Sequence, residues 1–404
     1  MDISVRRLES QLETENFIKK LFDSFYKQHE FAIKFGDYKE NLKDFICKNT
    51  PYAKAGVLSL EDSFSKIGKQ LTLFLKSLEI KPVSFVYSTP PQETIESAAG
   101  LFQFPEDVRL LIVTDSSLLP FAQYFCTVKK ICLIFIPTTA NFSGAFNKNV
   151  FIKTEDNLDC INIKKNTFTL IDFSIIDPLL DECFEKSFSR FISVFDYLIN
   201  RVLSGKKPIE KLIGIYNRLV LSFDFSNLSK ENVVCFAIKT EALLSLMEQV
   251  SYFGADVFAL KLVKKPNKGF SLAIALALSK IYTLVGVSDI PLFNIENYSA
   301  RADKVSLLTG VNSQVILENF KEQNQNFAKY GELARERLFA FAKDYKNLQA
   351  LEENILNAYY QLGGAKDFEK KNKEAIKKVI NYLGDTPFYC NCPAFLRELG
   401  IFKI

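Results

Sequence analysis

The sequence predicts an α/β protein, with a parallel Rossmann-like sheet in its N-terminal part and an all-helical C-terminal domain. Two apolar runs, Leu110–Val113 and Ile131–Ile136, are short and lack alternation. This pattern is typical of strands buried on both faces of a parallel sheet. Helical patterns alternate with such strands until about residue 171, and long helical patterns alone follow Asp177. We therefore expect a sheet domain followed by a helical domain.

The expected elements follow in chain order. Residues 1–30 form an amphipathic helical extension, residues 31–175 the Rossmann-like domain and residues 176–404 the helical domain. The expected strands are Phe31–Phe35, Ala55–Leu58, Val83–Tyr87, Leu110–Val113, Ile131–Ile136 and Thr167–Ile171, and a further strand is expected at the end of the stretch Val108–Lys153. The helices of the sheet domain are expected at Asn41–Cys47, Ser63–Leu78 and Glu93–Phe102. Those of the helical domain are expected at 179–203, 208–221, 231–250, 255–264, 269–286, 311–345, 349–361 and 366–383.

Two of these elements have especially clear signals. Apolar residues recur at helical spacing through Ser63–Leu78, which predicts a helix with one buried face. The strand Val83–Tyr87 stops before Pro90 and Pro91, because proline cannot continue a hydrogen-bonded ladder.

Composition excludes several classes of function. The formal charge of +4 is spread along 404 residues, which argues against nucleic-acid and membrane partners. Eight cysteines without a framework spacing, after a charged N-terminus, favour reduced thiols in a cytoplasmic protein. His29 is the one histidine of the chain, so a histidine-bearing triad or a multi-histidine metal site must use it or be absent.

The order of turns and strands supplies a resemblance. From FAIKFGDYKENL to Ile136-Pro137-Thr138-Thr139-Ala140, the chain resembles the superfamily of dehydroquinate synthase, glycerol and glycerol-1-phosphate dehydrogenases and iron-containing alcohol dehydrogenases. The resemblance covers about residues 31–290, with a weaker helical match to the end. It implies an NAD(P) site at the turns after the strands, a divalent metal in the helical domain, and a homodimer.

The turn that would hold the cofactor's phosphates departs from the family pattern. The family's GGGS becomes Thr114–Ser117, in which only Ser117 fits, and Asp115 brings negative charge toward a phosphate. Glycines there let backbone N–H groups approach a pyrophosphate. By their position in this turn, Asp115, Ser116 and Ser117 are the candidate cofactor contacts. The alternative is that Asp115 or Ser116 caps the helix that starts at Leu118.

The second turn keeps two hydroxyls of the family pattern. The resemblance implies that Thr138 and Thr139 lie along the cofactor, whereas bulky Phe142 stands where the family has a small residue. Adenosine or nicotinamide binding and a structural threonine pair at a strand end both remain open.

The metal ligands of the family are not reproduced. The resemblance implies one carboxylate and two histidines, and only the carboxylate position has a match, in Asp196. No histidine lies in Tyr252–Val263, and the family's histidine-glycine pair reads Lys268-Gly269. We expect no divalent metal, since a protonated lysine repels one. Lys268 either pairs with Asp196 or Asp256, or it is an exposed lysine at a helix N-terminus.

Two interpretations of function follow. In the first, the chain is a divergent, catalytically degenerate member of the superfamily with a binding, regulatory or structural role. In the second, it is an active NAD(P)-dependent oxidoreductase or sugar-phosphate enzyme with metal-independent chemistry, in which Lys268 and Asp196 are catalytic. A dinucleotide or a small phosphorylated ligand is a candidate partner.

Overall fold

The strands form the scaffold of the first part of the chain. The computed structural model describes residues 3–25, 32–48, 52–90, 105–153, 158–163, 167–177, 179–203, 210–246, 263, 266–282, 298–309, 312–318, 321, 325 and 351–385. The strands are β1 (Ala32–Phe35), β2 (Lys54–Leu60), β3 (Lys81–Tyr87), β4 (Val108–Val113), β5 (Cys132–Phe135), β6 (Asn149–Lys153), β7 (Leu158–Asn162) and β8 (Thr167–Ile171).

Six of these strands form one sheet in the order β1-β8-β5-β4-β2-β3, and every neighbouring pair is parallel. The remaining pair, β6 and β7, is an antiparallel hairpin. The predicted parallel α/β class is confirmed. Since β4 is buried along almost its whole length, its unbroken apolar run follows from helices or loops on both faces.

The direction of the chain across the sheet reverses between β2 and β4. The chain runs from β2 outward to the edge strand β3, returns past β2 to β4, and continues through β5 to β8. In open α/β sheets such a reversal is the topological switch point, where ligands bind outside the carboxyl ends of the strands. The carboxyl ends of β2 and β4 are thus the place to examine for a site.

The helices that the structure describes in the first unit are α1 (Ile3–Asp23), α2 (Tyr38–Lys48), α3 (Lys69–Ser77), α4 (Leu119–Lys129) and α7 (Lys230–Ser245). One face of the sheet is covered by a core in which Leu71 and Leu75 of α3 lie with Val57, Ile112 and Ile134. The helix predicted at Ser63–Leu78 is confirmed, and it begins as a short turn at Glu61–Ser63 followed by a π-helical turn at Phe64–Gly68.

The chain divides into two compact units. The first comprises Met1–Leu180 and Ser229–Leu246, and the second comprises Asp181–Leu228 and Met247–Ile404. The sequence places the segment of α7 in the helical domain, whereas the structure groups it with the sheet. The physical reason is its packing against α1, where the Lys239 ammonium lies 2.7 Å from Glu13 Oε1.

Helices build the described part of the second unit. They are α5 (Leu180–Leu203), α6 (Glu210–Leu221), α8 (Phe270–Tyr282), α9 (Tyr298–Thr309), α10 (Glu352–Gln361) and α11 (Phe368–Asp385). Aromatic contacts join α5 to α6, since the rings of Phe191 and Tyr216 stack with centroids 4.2 Å apart. α8 packs against α11.

Some predictions lie beyond what the structure describes, and some elements were not predicted. The helix expected at Glu93–Phe102 falls outside the described residues, as do His29 and Asp256, and only residue 263 of the helix expected at 255–264 is described. A strand was expected at the end of Val108–Lys153, where β6 lies, but β7, its pairing with β6 and the helix α9 were not expected. Among the helices that the structure describes, none combines the length and apolarity needed to cross a bilayer.

Candidate functional site

The two predicted turns meet at the carboxyl edge of the sheet. Thr114 follows β4 and Thr138 comes three residues after the end of β5. The backbone N–H of Thr138 donates to the carbonyl oxygen of Thr114 at 3.2 Å, which places the turns side by side. Both threonines are buried.

Asp115 directs its carboxylate across the switch point rather than along its own helix. Its Oδ2 accepts a hydrogen bond from the backbone N–H of Leu60, at 2.9 Å, and another from the Thr114 hydroxyl, at 2.8 Å. Its Oδ1 accepts from the Ser63 hydroxyl at 2.6 Å. The carboxyl end of β4 is therefore tied to the carboxyl end of β2 and to the helical turn that follows β2.

Further hydroxyls extend this arrangement. Ser63 Oγ lies 2.7 Å from Thr138 Oγ1, and Thr114 Oγ1 lies 2.8 Å from Ser59 Oγ. Because Ser63 has one hydroxyl proton and gives it to Asp115, Thr138 is the donor in the first of these contacts. We call Ser59, Ser63, Thr114, Asp115 and Thr138 the switch-point network; all five residues are buried.

The prediction that Asp115 or Ser116 caps the following helix is wrong. Asp115 is the residue before the 3₁₀ turn Ser116–Leu118, but its side chain makes no capping hydrogen bond there. Helix α4 likewise starts without a side-chain cap. The reason is that the Asp115 carboxylate is committed to the N–H of Leu60 and the hydroxyls of Ser63 and Thr114.

The candidate cofactor contacts differ in their accessibility. Ser116 is buried and Ser117 is half-buried, whereas Thr138 is completely buried and Thr139 is exposed. Phe142 is also buried, with 1% of its surface exposed. Cofactor contact by these residues remains a prediction.

The second predicted site is the turn Lys268-Gly269 before α8. The Glu185 carboxylate accepts hydrogen bonds from the backbone N–H groups of Gly269 and Ser271, each at 2.9 Å. A carboxylate from α5 thus satisfies two of the free N–H groups at the start of α8. Burial raises the pKa of Glu185, against the opposing effect of these two hydrogen bonds.

Lys268 forms an ion pair with Asp181 of α5, which was not among its predicted partners Asp196 and Asp256. The hydrogen bond to Asp181 raises the pKa of Lys268, whose side chain is 49% exposed, while that of Asp181 is buried. Asp196 lies on the same helix, α5, but its side chain is outside the described part of the structure. Asp181 precedes Glu185 by one helical turn, so both carboxylates lie on the face that meets the turn before α8.

Backbone geometry also fixes this turn. Gly269 has φ of +84°, and a Cβ there would lie 2.6 Å from the Cβ of Phe368. Asn372 of α11 donates to the carbonyl oxygens of Phe368, at 2.8 Å, and Lys268, at 3.4 Å. The turn is thus held by α5 on one side and α11 on the other.

Comparison with known proteins finds similar solved structures at low sequence identity. No protein-family profile and no curated protein matches the sequence. A glycerol dehydrogenase from Schizosaccharomyces pombe is 13% identical, with a TM-score of 0.47 over 80% of this chain and 93% of that one. A probable glycerol dehydrogenase from Sinorhizobium meliloti 1021 is 10% identical, with a TM-score of 0.48 over 78% and 97%.

A third similar structure is NADH-dependent butanol dehydrogenase A from Thermotoga maritima. It is 15% identical, with a TM-score of 0.46 over 88% of this chain and 98% of that one. These names belong to the superfamily that the sequence resembles. Similarity at this level carries no argument about activity, which must come from the residues themselves.

The described residues supply no evident site for a metal ion. Within the part of the chain that the structure describes, no group of three or more His, Cys, Asp or Glu side chains could hold a metal ion. Lys268 stands at the position that the resemblance assigns to a ligand, and its ammonium already neutralises Asp181. The buried Tyr359 lies near these charges, and its pKa is raised by burial and by Glu185 and Asp181.

Sequence reasoning missed the partners of both predicted turns. Asp181 and Glu185 are four residues apart at the beginning of a predicted helix, which is a signal for a shared face. Ser59 follows the predicted strand Ala55–Leu58, as Thr114 and Thr138 follow predicted strands, and Ser63 begins the next predicted helix. That repetition of hydroxyls after strands was the available signal for the switch-point network.

Proposed function

We propose that this chain is a divergent, metal-free member of the dehydroquinate synthase/iron-containing alcohol dehydrogenase superfamily with a binding, regulatory or structural role instead of dehydrogenase activity. One observation carries the proposal: the Asp115 carboxylate closes the switch point by accepting hydrogen bonds from both of its sides. In the same proposal the protein is cytoplasmic and forms a homodimer. Light scattering of the purified protein tests the homodimer.

The closed switch point disfavours a dinucleotide for two reasons. A pyrophosphate needs free N–H or hydroxyl donors, and the donors of Leu60, Ser63 and Thr114 are already used. A phosphate placed beside the buried Asp115 would also meet a second negative charge in surroundings that screen it weakly. The residues therefore do not fit NAD(P) at this turn.

The turn before α8 disfavours a divalent cation. The Lys268 ammonium occupies the ligand position given by the resemblance, and the nearby carboxylates are engaged with it and with the backbone of α8. A cation would have to displace the ammonium from Asp181 and would gain no imidazole ligand there.

The alternative function is that of an active enzyme in which Lys268 binds a phosphate or polarises a carbonyl. The observation in its favour is that the ammonium is half-exposed, so a substrate can reach it. The raised pKa of Lys268 keeps the side chain protonated near neutral pH, which excludes a free amine nucleophile but allows a hydrogen-bond donor. Asp181 neutralises this charge, which weakens its attraction for an anion.

Ligand-dependent thermal unfolding discriminates between these functions. A ligand at a hundred times its dissociation constant adds about 2.7 kcal/mol to the free energy of unfolding. We expect no increase with NAD(H), NADP(H) or sugar phosphates, and no stoichiometric metal in elemental analysis. Stabilisation by a dinucleotide, or one metal ion per chain, contradicts the proposal. Stabilisation by a sugar phosphate that is lost in Lys268→Met supports the alternative.

A further inference from the structure

The Asp115 carboxylate is surrounded by neutral donors. Its three hydrogen bonds come from one backbone N–H and two hydroxyls, and Asp115 makes no ion pair within the part of the chain that the structure describes. The side chain is nonetheless buried, with 8% of the residue exposed. Backbone N–H groups and hydroxyls that converge on one anion without a cation are the donor set of a phosphate site.

The position of this carboxylate matters as much as its donors. Leu60 ends β2 and Asp115 follows β4, so the carboxylate lies between the carboxyl ends of the two strands that flank the switch point. That is where open α/β sheets hold their ligands. We call the space between these strand ends the crevice. The Asp115 carboxylate is therefore the one group that makes the crevice unsuitable for a dinucleotide.

We propose that the Asp115 carboxylate is an internal anion that occupies the place of a ligand phosphate, so that residue 115 alone decides whether the crevice accepts a phosphorylated ligand. The inference rests on the proposed function, because both take the crevice of the natural protein to be closed. It adds that the other donors of the crevice remain arranged for an anion.

Removing the carboxylate has a definite chemical consequence. In Asp115→Ala the N–H of Leu60 loses its acceptor, while the hydroxyls of Ser63 and Thr114, which also lie within 2.8 Å of Thr138 and Ser59, become free to turn toward a new one. A phosphate oxygen can replace it, and the neighbouring Thr138 hydroxyl supplies a further donor once Ser63 is free to turn. The same change removes the negative charge that repels an anion.

The test is calorimetric titration of the full chain with inorganic pyrophosphate. We expect at least about tenfold tighter binding by Asp115→Ala than by the natural protein, since each tenfold step corresponds to 1.4 kcal/mol. Asp115→Ser, which is shorter than aspartate but keeps one acceptor, is the second variant in case alanine prevents folding. Circular dichroism establishes which variant is folded, and either folded variant decides the outcome.

Asp107→Ala is the matched control. Asp107 pairs with Lys54 at 2.5 Å, next to the opposite ends of the same two strands, so its removal changes the net charge equally without touching the crevice. A folded Asp115 variant that binds no more tightly than the natural protein overturns the inference, and so does an equal gain in Asp107→Ala. Dinucleotide binding by the natural protein instead contradicts the proposed function, and the two failures are therefore distinguishable.

Discussion

Two carboxylates at the start of α5 have different tasks although they are one helical turn apart. Asp181 forms an ion pair with the Lys268 ammonium, and Glu185 accepts hydrogen bonds from two backbone N–H groups at the start of α8. Both side chains are buried, so each depends on its partner to offset the loss of hydration. Glu185 therefore leads to a prediction about pH dependence, and the pair of Asp181 and Lys268 leads to a prediction about the loss of a charge.

Glu185 should give the free energy of unfolding a characteristic pH dependence. Burial raises its pKa above the usual 4.5, so the folded state retains a proton that the unfolded state has lost. The contribution of Glu185 to stability is therefore largest below pH 4.5 and declines as pH rises through the folded-state pKa. Urea unfolding at a series of pH values should show this decline in the natural protein relative to Glu185→Gln. A difference between the two proteins that is constant or grows with pH contradicts the assignment.

Lys268 should stabilise the fold through Asp181 even if it has no catalytic task. Lys268→Met leaves a buried carboxylate without its cation, and we expect a loss of about 1–2 kcal/mol, limited by the solvent around the half-exposed ammonium. Adding Asp181→Asn should recover most of that loss. Lys371→Met is the control, because Lys371 and Asp367 form an exposed pair and should contribute at most about 0.5 kcal/mol. Equal losses in the two single lysine variants would remove the special status of Lys268.

At the scale of elements, the helical segment after β2 contains an irregularity that its sequence does not display. Gly68 ends the π-helical turn, and a Cβ there would lie 2.3 Å from Cδ2 of the Phe64 ring. The apolar spacing predicts the helix but is insensitive to a single widened turn. This turn lies directly after Ser63, which joins the switch-point network.

Alanine substitution should therefore have opposite effects at two helical glycines. Gly68→Ala should lower stability, because the Phe64 ring must move, although alanine is the better helix former. Gly214→Ala in α6 should raise stability by about 1 kcal/mol, since nothing lies within 4 Å of the added Cβ. Melting temperatures of the two variants provide the measurement. An increase for Gly68→Ala would show that the π-helical turn imposes no steric limit.

The strands were predictable because each is an apolar run that ends at a turn residue. Thr167–Ile171 agrees at both ends, and the predicted Val83–Tyr87 is extended by two residues at its start. The hairpin was less accessible to sequence reasoning, since β7 contains Asp159, Cys160 and Asn162 and lacks a continuous apolar run. The partner of β6 is decided by pairing across the hairpin, which composition does not encode.

The sequence predicts where the candidate sites lie, but not which residues contact them. Sequence patterns locate the turns of Asp115 and Lys268, because strand ends and helix starts have recognisable residues. They do not reveal the partners, since Leu60 contributes only a backbone N–H and Asp181 lies far away in sequence. The direction of a side chain depends on tertiary contacts that local sequence does not show. For that reason the cap of its own helix was an alternative for Asp115, whereas its carboxylate reaches Leu60 and Ser63 instead.

At the scale of the whole molecule, the first unit is discontinuous in sequence. Its helix α7 packs against α1, where Lys239 also lies 5.8 Å from the centroid of the Phe17 ring. A second contact is made by Lys230, whose ammonium donates to the carbonyl oxygens of Phe173 and Ile176. A fragment that stops at Leu180 lacks both.

Such a fragment should not protect α1. In residues 1–180 alone, the amides of α1 should exchange with solvent far faster than in the full chain, because their packing partner is missing. Attaching residues 229–246 through a long flexible Gly/Ser linker should restore the protection. Mass-spectrometric hydrogen exchange measures both fragments. Full protection of α1 without the added segment would mean that α7 is dispensable for the first unit.

The same discontinuity has a consequence for biosynthesis. A ribosome releases Asp181–Leu228 of the second unit before it releases α7, so the first unit is still incomplete when part of the second is already exposed. Helix α5 emerges before the turn that precedes α8, so Glu185 still lacks the backbone N–H groups from which it accepts hydrogen bonds. Domains that are continuous in sequence can fold one after the other during translation. Here the nascent chain must carry two unfinished units at once, and the first can close only after about Leu246 has emerged.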